Sequence, residues 1–171
     1  MEVTVLPEES VYRYWDQGSV APGWFNPAFD DSMWPSGPAP LGFGDPYIVT
    51  TVGFGPNPDS KYVSTWFRTT FDVPNAAAVL TATIELKVDD GAVVLLNGNE
   101  WVRWNMPNGA ISQSTLASSI IEAADEGFFI PFDVNPSLLV DGENVLAIEV
   151  HQAILNSTDL GIDSRITLLV N

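Results

Sequence analysis

Hydrophobic and polar residues alternate along many short stretches of this chain, and a helical period is almost absent. Between residues 86 and 105 three stretches typical of strands follow one another: 86–89 and 100–105 alternate, and 92–96 between them is wholly apolar. Asp90-Gly91 and Asn97-Gly98 separate them, and both dipeptides favour tight turns because glycine tolerates a positive φ. The pattern predicts a three-stranded meander at the core of a β-sandwich.

Further strands are predicted where β-branched and aromatic residues alternate with polar ones, at residues 10–15, 65–73, 79–87, 128–134, 144–152 and 162–170. Pro131 indicates that the strand at 128–134 lies at an edge or a bulge. Prolines and glycines make 36–59 a long irregular loop, and 110–126 has no clear period. Single helical turns are expected within 26–34 and after Asn135. We therefore expect one all-β domain over residues 1–171, an antiparallel sandwich.

Composition narrows the classes of partner. The chain has 171 residues, 46% of them hydrophobic and 16% charged, which is typical of a folded domain. Its 22 acidic residues outnumber six lysines and arginines, and the net charge of −16 argues against nucleic acid and anionic membranes as partners. The absence of cysteine excludes disulfides and thiolate zinc sites. No apolar run reaches the roughly 18 residues of a membrane span, and a secreted protein would carry its leader upstream of this sequence.

Several short segments form an ordered pattern over nearly the whole chain. They are FDDSMW (29–34), APLGFGD (39–45), WFR (66–68), VDDG (88–91), NG (97–98), RWNMPNG (103–109), GENVLAIEVHQ (142–152) and STDL (157–160). In this order they resemble galactose-binding-like jelly-roll domains. That family includes the sugar-binding domains of family 2 glycoside hydrolases and modules appended to secreted bacterial enzymes.

The resemblance implies a non-catalytic carbohydrate-binding module within a larger multidomain protein. It implies secretion or a place on a bacterial cell surface, where the module holds a linked enzyme on a polysaccharide. It also implies a structural calcium ion. The alternative is a structural or protein-interaction domain without any sugar site, because a fold does not determine what is bound.

The strand at residues 100–105 supplies the main candidates for carbohydrate binding. Sugars present apolar C–H faces ringed by hydroxyl groups, which proteins bind with aromatic rings beside planar polar side chains. Two-residue alternation places Trp101, Arg103 and Asn105 on one face of this strand and Trp104 on the other. The alternative is that both tryptophans pack in the core and that Arg103 pairs with a carboxylate.

The loop after the strand at residues 144–152 supplies further candidates. His151 is the only histidine, and Gln152 and Asp159 could converge with it on a ligand; the alternative is a structural histidine followed by ordinary turn residues. Asp159 and Asp163 are the candidate calcium ligands, because oxygen donors are the only abundant metal ligands in this chain. We predict no catalytic residue: adjacent aspartates on a strand face opposite ways, and no GxSxG motif is present.

Overall fold

Two β-sheets of six strands each pack face to face in the computed structural model, which describes residues 1–122 and 124–171. The strands are β1 (Glu2–Leu6), β2 (Val11–Trp15), β3 (Ser36–Pro38), β4 (Leu41–Phe43), β5 (Thr50–Thr51), β6 (Ser64–Val73), β7 (Val79–Asp89), β8 (Gly91–Leu96), β9 (Asn99–Trp104), β10 (Ile130–Val134), β11 (Gly142–His151) and β12 (Leu160–Val170). The β12 sheet has the order β10–β7–β12–β4–β5, and β1 also pairs with β12. The β11 sheet has the order β3–β2–β6–β11–β8–β9. This arrangement confirms the antiparallel jelly-roll sandwich, in which only the short β4–β5 pair is parallel among the described residues.

The predicted meander is wrong, although its strands are present. β7 runs unbroken to Asp89 and belongs to the β12 sheet, whereas β8 and β9 belong to the β11 sheet. The segment Asp90-Gly91 therefore carries the chain from one sheet to the other. Asn97-Gly98 alone closes a hairpin, with φ of 50° and 85° at its two residues, as a type I′ turn requires. Alternation indicates that a segment is extended, but it does not determine the partner strand.

The main core fills the space between the sheets. Leu146 and Ile148 of β11 belong to the same buried cluster as Ile84, Leu86 and Ile166 of the opposite sheet, and none of these five side chains is exposed. Each is worth about 1.5–3 kcal/mol of burial relative to an exposed side chain. This core fixes the position of the loops at the sheet ends.

The outer face of the β11 sheet is covered by the β2–β3 connection, residues 16–35. Trp24 and Trp34 from this connection form a second buried cluster with Trp66 of β6. Arg68, which is 4% exposed, holds the connection in place: its Nε lies 2.8 Å from Asp31 Oδ2, and its Nη1 donates to the carbonyl of Trp24. Polar anchoring thus adds to aromatic packing on this face.

Several local predictions are also decided by the structure. The helical turn expected within 26–34 is a series of separate turns, whereas the turn after Asn135 is confirmed as a 3-10 helix at Pro136–Leu138. Pro131 does lie in an edge strand, β10. The region 36–59 contains the short strands β3 to β5. Among the described residues, no helix has the length and apolar character needed to span a bilayer.

Candidate functional site

Four acidic side chains meet at one end of the sandwich and are named here the acidic pocket. Asp45 follows β4, Asp89 ends β7, Glu126 lies in the connection between β9 and β10, and Asp159 precedes β12. One carboxylate oxygen from each residue lies within 4.8 Å of those of the other three. Residues separated by as many as 114 positions in the sequence (159 minus 45) are therefore brought to one point.

Strand register explains why these residues meet. Gly161 of β12 pairs with Asp89 at the end of β7, and Leu160 pairs with Phe43 at the end of β4. Both pairs lie at the beginning of β12, directly after Asp159. β4 and β7, two of the antiparallel partners of β12, therefore end where β12 begins, and the core packing of these three strands fixes this geometry.

Burial makes the acidic pocket electrostatically costly. Asp89 is 2% exposed, and its Oδ2 has no hydrogen-bond partner among the described residues; the same holds for Oδ2 of Asp45. Burial, reinforced by the carboxyl of Asp90, raises the pKa of Asp89 far above its ordinary range. Burial, with the nearby charges of Asp159 and Asp45, raises the pKa of Glu126 to about 7. Unpartnered buried carboxylate oxygens fit a hard divalent cation such as Ca²⁺, which takes oxygen ligands.

Asp90 has a structural role beside this pocket. Its Oδ1 accepts a hydrogen bond from the Ile121 amide at 2.8 Å, and its Oδ2 accepts one from the Ala153 amide at 2.8 Å. Asp89 and Asp90 are adjacent in sequence, yet only the second is satisfied by the backbone. Asp90 thereby holds the β9–β10 connection, residues 105–129, close to the end of β7.

The structure separates the two predicted calcium ligands. Asp159 lies in the acidic pocket, whereas Asp163 lies outside it, within β12. The carboxylate of Asp163 is buried and accepts hydrogen bonds from the amides of Glu9 and Ser164. Burial raises its pKa to about 6.

A second candidate site is a groove of about 340 Å³ on the outer face of the β11 sheet. Strands β8, β9 and β11 form its base, and the β2–β3 and β9–β10 connections form its sides. Its aromatic and polar lining consists of Trp24, Phe25, Glu100, Arg103, Gln113 and Glu149. The groove thus combines aromatic surface with hydrogen-bonding groups.

Arg103, one of the predicted carbohydrate ligands, lines this groove. Its Nε and Nη2 donate to the two carboxylate oxygens of Glu100 at 2.9 and 2.8 Å. Its Nη1 donates to the carbonyls of Pro107 and Gly109 at 3.0 and 2.7 Å. The alternative prediction, an arginine paired with a carboxylate, is therefore confirmed, whereas sugar binding by Arg103 stays a prediction.

Trp101 does not share the face of Arg103, so that prediction is wrong. Leu95 pairs with Glu100 while Val94 pairs with Val102, which leaves Trp101 as the extra residue of a β-bulge. The ring packs against the main core, and its Nε1 donates to the Asn135 carbonyl at 3.1 Å. The bulge interrupts the two-residue alternation on which the prediction depended.

Trp104 and Asn105 also make internal contacts. Trp104 packs edge-on against Phe132, with ring centroids 5.8 Å apart, on the core side of the strand. The Asn105 amide donates to the carbonyls of Asp90 and Ser119, and its Oδ1 accepts from the Ser119 hydroxyl. Asn105 thus fastens the β9–β10 connection and does not face the groove.

His151 is fully buried beneath the groove. Its Nδ1 lies 2.7 Å from the Thr115 carbonyl, so this nitrogen carries the hydrogen and donates it. The Ser64 hydroxyl lies 3.1 Å from the same nitrogen but donates to the Gln113 carbonyl at 2.7 Å. The other ring nitrogen faces Glu149 at 3.5 Å. The histidine therefore links β11 to the β9–β10 connection.

Gln152 bridges to the acidic pocket instead of the groove. Its side-chain amide donates to the Asp159 carbonyl at 3.2 Å, and its buried Oε1 has no partner among residues 1–122 and 124–171. Gln152 and Asp159, which sequence analysis grouped with His151, are thus close to each other.

Several site residues escaped the sequence analysis. For Glu126, Phe25 and Gln113, the surrounding sequence carries no signal, because loops bring them into place. Asp45 stands in the segment APLGFGD, but the short strand β4 before it was not predicted, so nothing marked Asp45 as lying at a strand end. Asp159, by contrast, was already a candidate ligand in the sequence analysis.

Comparisons with known proteins support the fold. No protein-family model matches the chain, and no curated protein sequence matches it. Among solved structures, a Bacteroides uniformis β-glucuronidase matches 100% of this chain with 18% of its own, at TM-score 0.64 and 17% identity. A calcium-binding mutant of B. uniformis β-glucuronidase 2 matches 100% of this chain with 18% of its own, at TM-score 0.63 and 16% identity. Bifidobacterium dentium β-glucuronidase in complex with coumarin-3-O-glucuronide matches 88% of this chain with 20% of its own, at TM-score 0.52 and 19% identity.

The chain thus spans about a fifth of the length of these bacterial enzymes. Identities of this size establish a common fold and leave function open. The comparisons confirm the β-sandwich fold that the sequence segments imply.

Proposed function

We propose that this chain is a non-catalytic carbohydrate-binding domain of a larger secreted or cell-surface bacterial protein. The groove on the β11 sheet carries the proposal. The half-buried ring of Phe25 supplies aromatic surface for a sugar ring, and buried Trp24 holds it in edge-to-face contact at 5.8 Å. Glu149 and Gln113 supply acceptors and donors for hydroxyl groups. The glycosidase structures that share the fold support a role beside carbohydrate chemistry.

Two contacts support a role without catalysis. Glycoside hydrolysis needs two carboxyl groups that are free to act on the substrate, and here Glu100 is held by both of its oxygens on Arg103. The Ser64 hydroxyl gives its hydrogen to the Gln113 carbonyl, so His151 does not activate it as a nucleophile.

The same proposal assigns a calcium ion to the acidic pocket. Asp45, Asp89, Glu126 and Asp159 would hold it, since their carboxylates converge and one oxygen each of Asp45 and Asp89 lacks a hydrogen-bond partner among the described residues. A bound cation would neutralise the clustered carboxylates. Asp159 contributes here as predicted from the sequence, whereas Asp163 remains outside.

Affinity electrophoresis against a panel of plant and algal polysaccharides tests sugar binding. The wild-type domain should be retarded by at least one polysaccharide, and Phe25→Ala should weaken retardation about tenfold, as expected for loss of a buried aromatic contact. Phe128→Ala is the matched control, because Phe128 is 67% exposed and does not line the groove. Equal loss in both variants, or no retardation at all, would favour the structural or protein-interaction domain.

A further inference from the structure

The charges that face the groove are mostly negative. Glu100 and Glu149 line it, and Arg103 is the one basic side chain among its described lining residues. The whole chain carries a net charge of −16. An anionic ligand would therefore meet an unfavourable potential before and after entry.

Arg103 cannot readily compensate for this potential. A guanidinium has five N–H donors, and Arg103 uses four of them in its contacts with Glu100, Pro107 and Gly109. Bidentate recognition of a sugar carboxylate needs two parallel donors. A uronate would have to displace Glu100 and leave a second carboxylate unpaired.

Glu149, in contrast, is available to a ligand. It lies on the central strand β11 with 14% of its side chain exposed, and its carboxylate makes no hydrogen bond within the described part of the chain. Its nearest polar contact is His151 Nε2 at 3.5 Å, beneath the groove. A carboxylate in this setting accepts hydrogen bonds from hydroxyl groups but repels carboxylates.

From these contacts we propose that the groove selects neutral glycans and rejects uronic-acid glycans. The inference rests on the proposed sugar-binding function and defines its ligand class. Glu149 receives hydroxyl donors from the sugar, and Glu100 sets the discrimination by occupying Arg103. The proposed ligand is uncharged, whereas the glucuronide in one of the enzyme structures that share the fold is an anion.

A matched pair of ligands tests the inference: a neutral polysaccharide that retards the domain, and the same polysaccharide oxidised to the carboxylate at C6. At low salt the oxidised form should bind at least about tenfold more weakly, as expected from juxtaposed like charges. Equal or tighter binding of the oxidised form would overturn the inference while leaving sugar binding intact. Absence of binding to every neutral glycan on an array would remove the proposed function and the inference with it.

A gain of binding provides the second test. Glu100→Gln removes one negative charge and breaks the two-oxygen contact with Arg103, because an amide keeps only one acceptor oxygen, so affinity for the oxidised polysaccharide should rise about tenfold. Affinity for the neutral form is measured alongside, and the ratio of the affinity for the oxidised form to that for the neutral form should rise about tenfold, because only the oxidised form carries a charge for Arg103 to bind. Glu143→Gln makes the same charge change on an exposed residue away from the groove. A similar gain in both variants would show a net-charge effect and refute the role of Glu100.

Discussion

Replacing Asp89 with asparagine separates two effects of the acidic pocket: the destabilisation caused by its buried carboxyl groups and the stabilisation gained when calcium binds. In the metal-free protein this change removes a buried carboxyl whose Oδ2 has no partner among the described residues, so stability should stay equal or rise. With calcium, the variant should lose the stabilisation that the wild type gains. At free calcium about 100 times Kd, that gain is about 2.7 kcal/mol. For a domain of this size it corresponds to a Tm increase of about 5–11 °C.

Differential scanning calorimetry with EGTA or with millimolar calcium measures both effects. Asp125→Asn serves as the control, because this exposed aspartate lies in the same connection but outside the pocket. It should keep the full calcium-dependent increase in Tm. A wild-type Tm that does not change between EGTA and calcium would refute the assignment of a calcium ion to the pocket.

Further predictions concern pH and the polar anchors. In EDTA the free energy of unfolding should fall as pH rises from 4.5 through about 7, because Glu126 in the folded protein keeps a proton that the unfolded chain has lost. Urea unfolding at pH 5 and at pH 8 measures this change. A higher free energy of unfolding at pH 8 would contradict the prediction. Arg68→Ala should lower the free energy of unfolding by about 2–3 kcal/mol in urea, since it removes the donor to the Trp24 carbonyl and leaves Asp31 with Arg13 as its remaining partner. An effect below about 1 kcal/mol would mean that the Arg68–Asp31 pair is solvated. Asp90→Ala should cost about 2–4 kcal/mol by leaving the Ile121 and Ala153 amides without acceptors, and faster amide hydrogen exchange at these two positions would verify the cause.

The fold could be predicted because its signals are local. Asn97-Gly98 needs positive φ at both residues, and the apolar run within β11 is typical of a central strand that is buried on both faces. The order of the short segments resembles that of jelly-roll domains, and the sandwich fold that this resemblance implies is confirmed. The pairing between strands was harder to predict from the sequence. Asp90-Gly91 has the composition of a hairpin turn, but it connects β7 of one sheet to β8 of the other.

The candidate sites were harder to predict for two physical reasons. A single bulge at Trp101 reversed the face assignment of the strand, and no residue type marks a bulge of this kind reliably. The acidic pocket depends on strand register, which joins Asp45 to Asp159, and on a loop that delivers Glu126. Arg103, a predicted carbohydrate ligand, does line a groove, but Trp24, Phe25 and Gln113 reach this groove from loops that are distant in sequence.

The β9–β10 connection contributes to both sites, with Gln113 in the groove and Glu126 in the acidic pocket. Between β9 and β10 it provides no strand of either sheet among its described residues. Insertions or deletions there would spare the sandwich while altering ligand choice and cation affinity in one event. Evolution could therefore retune both properties of this module by changing the length of a single surface segment.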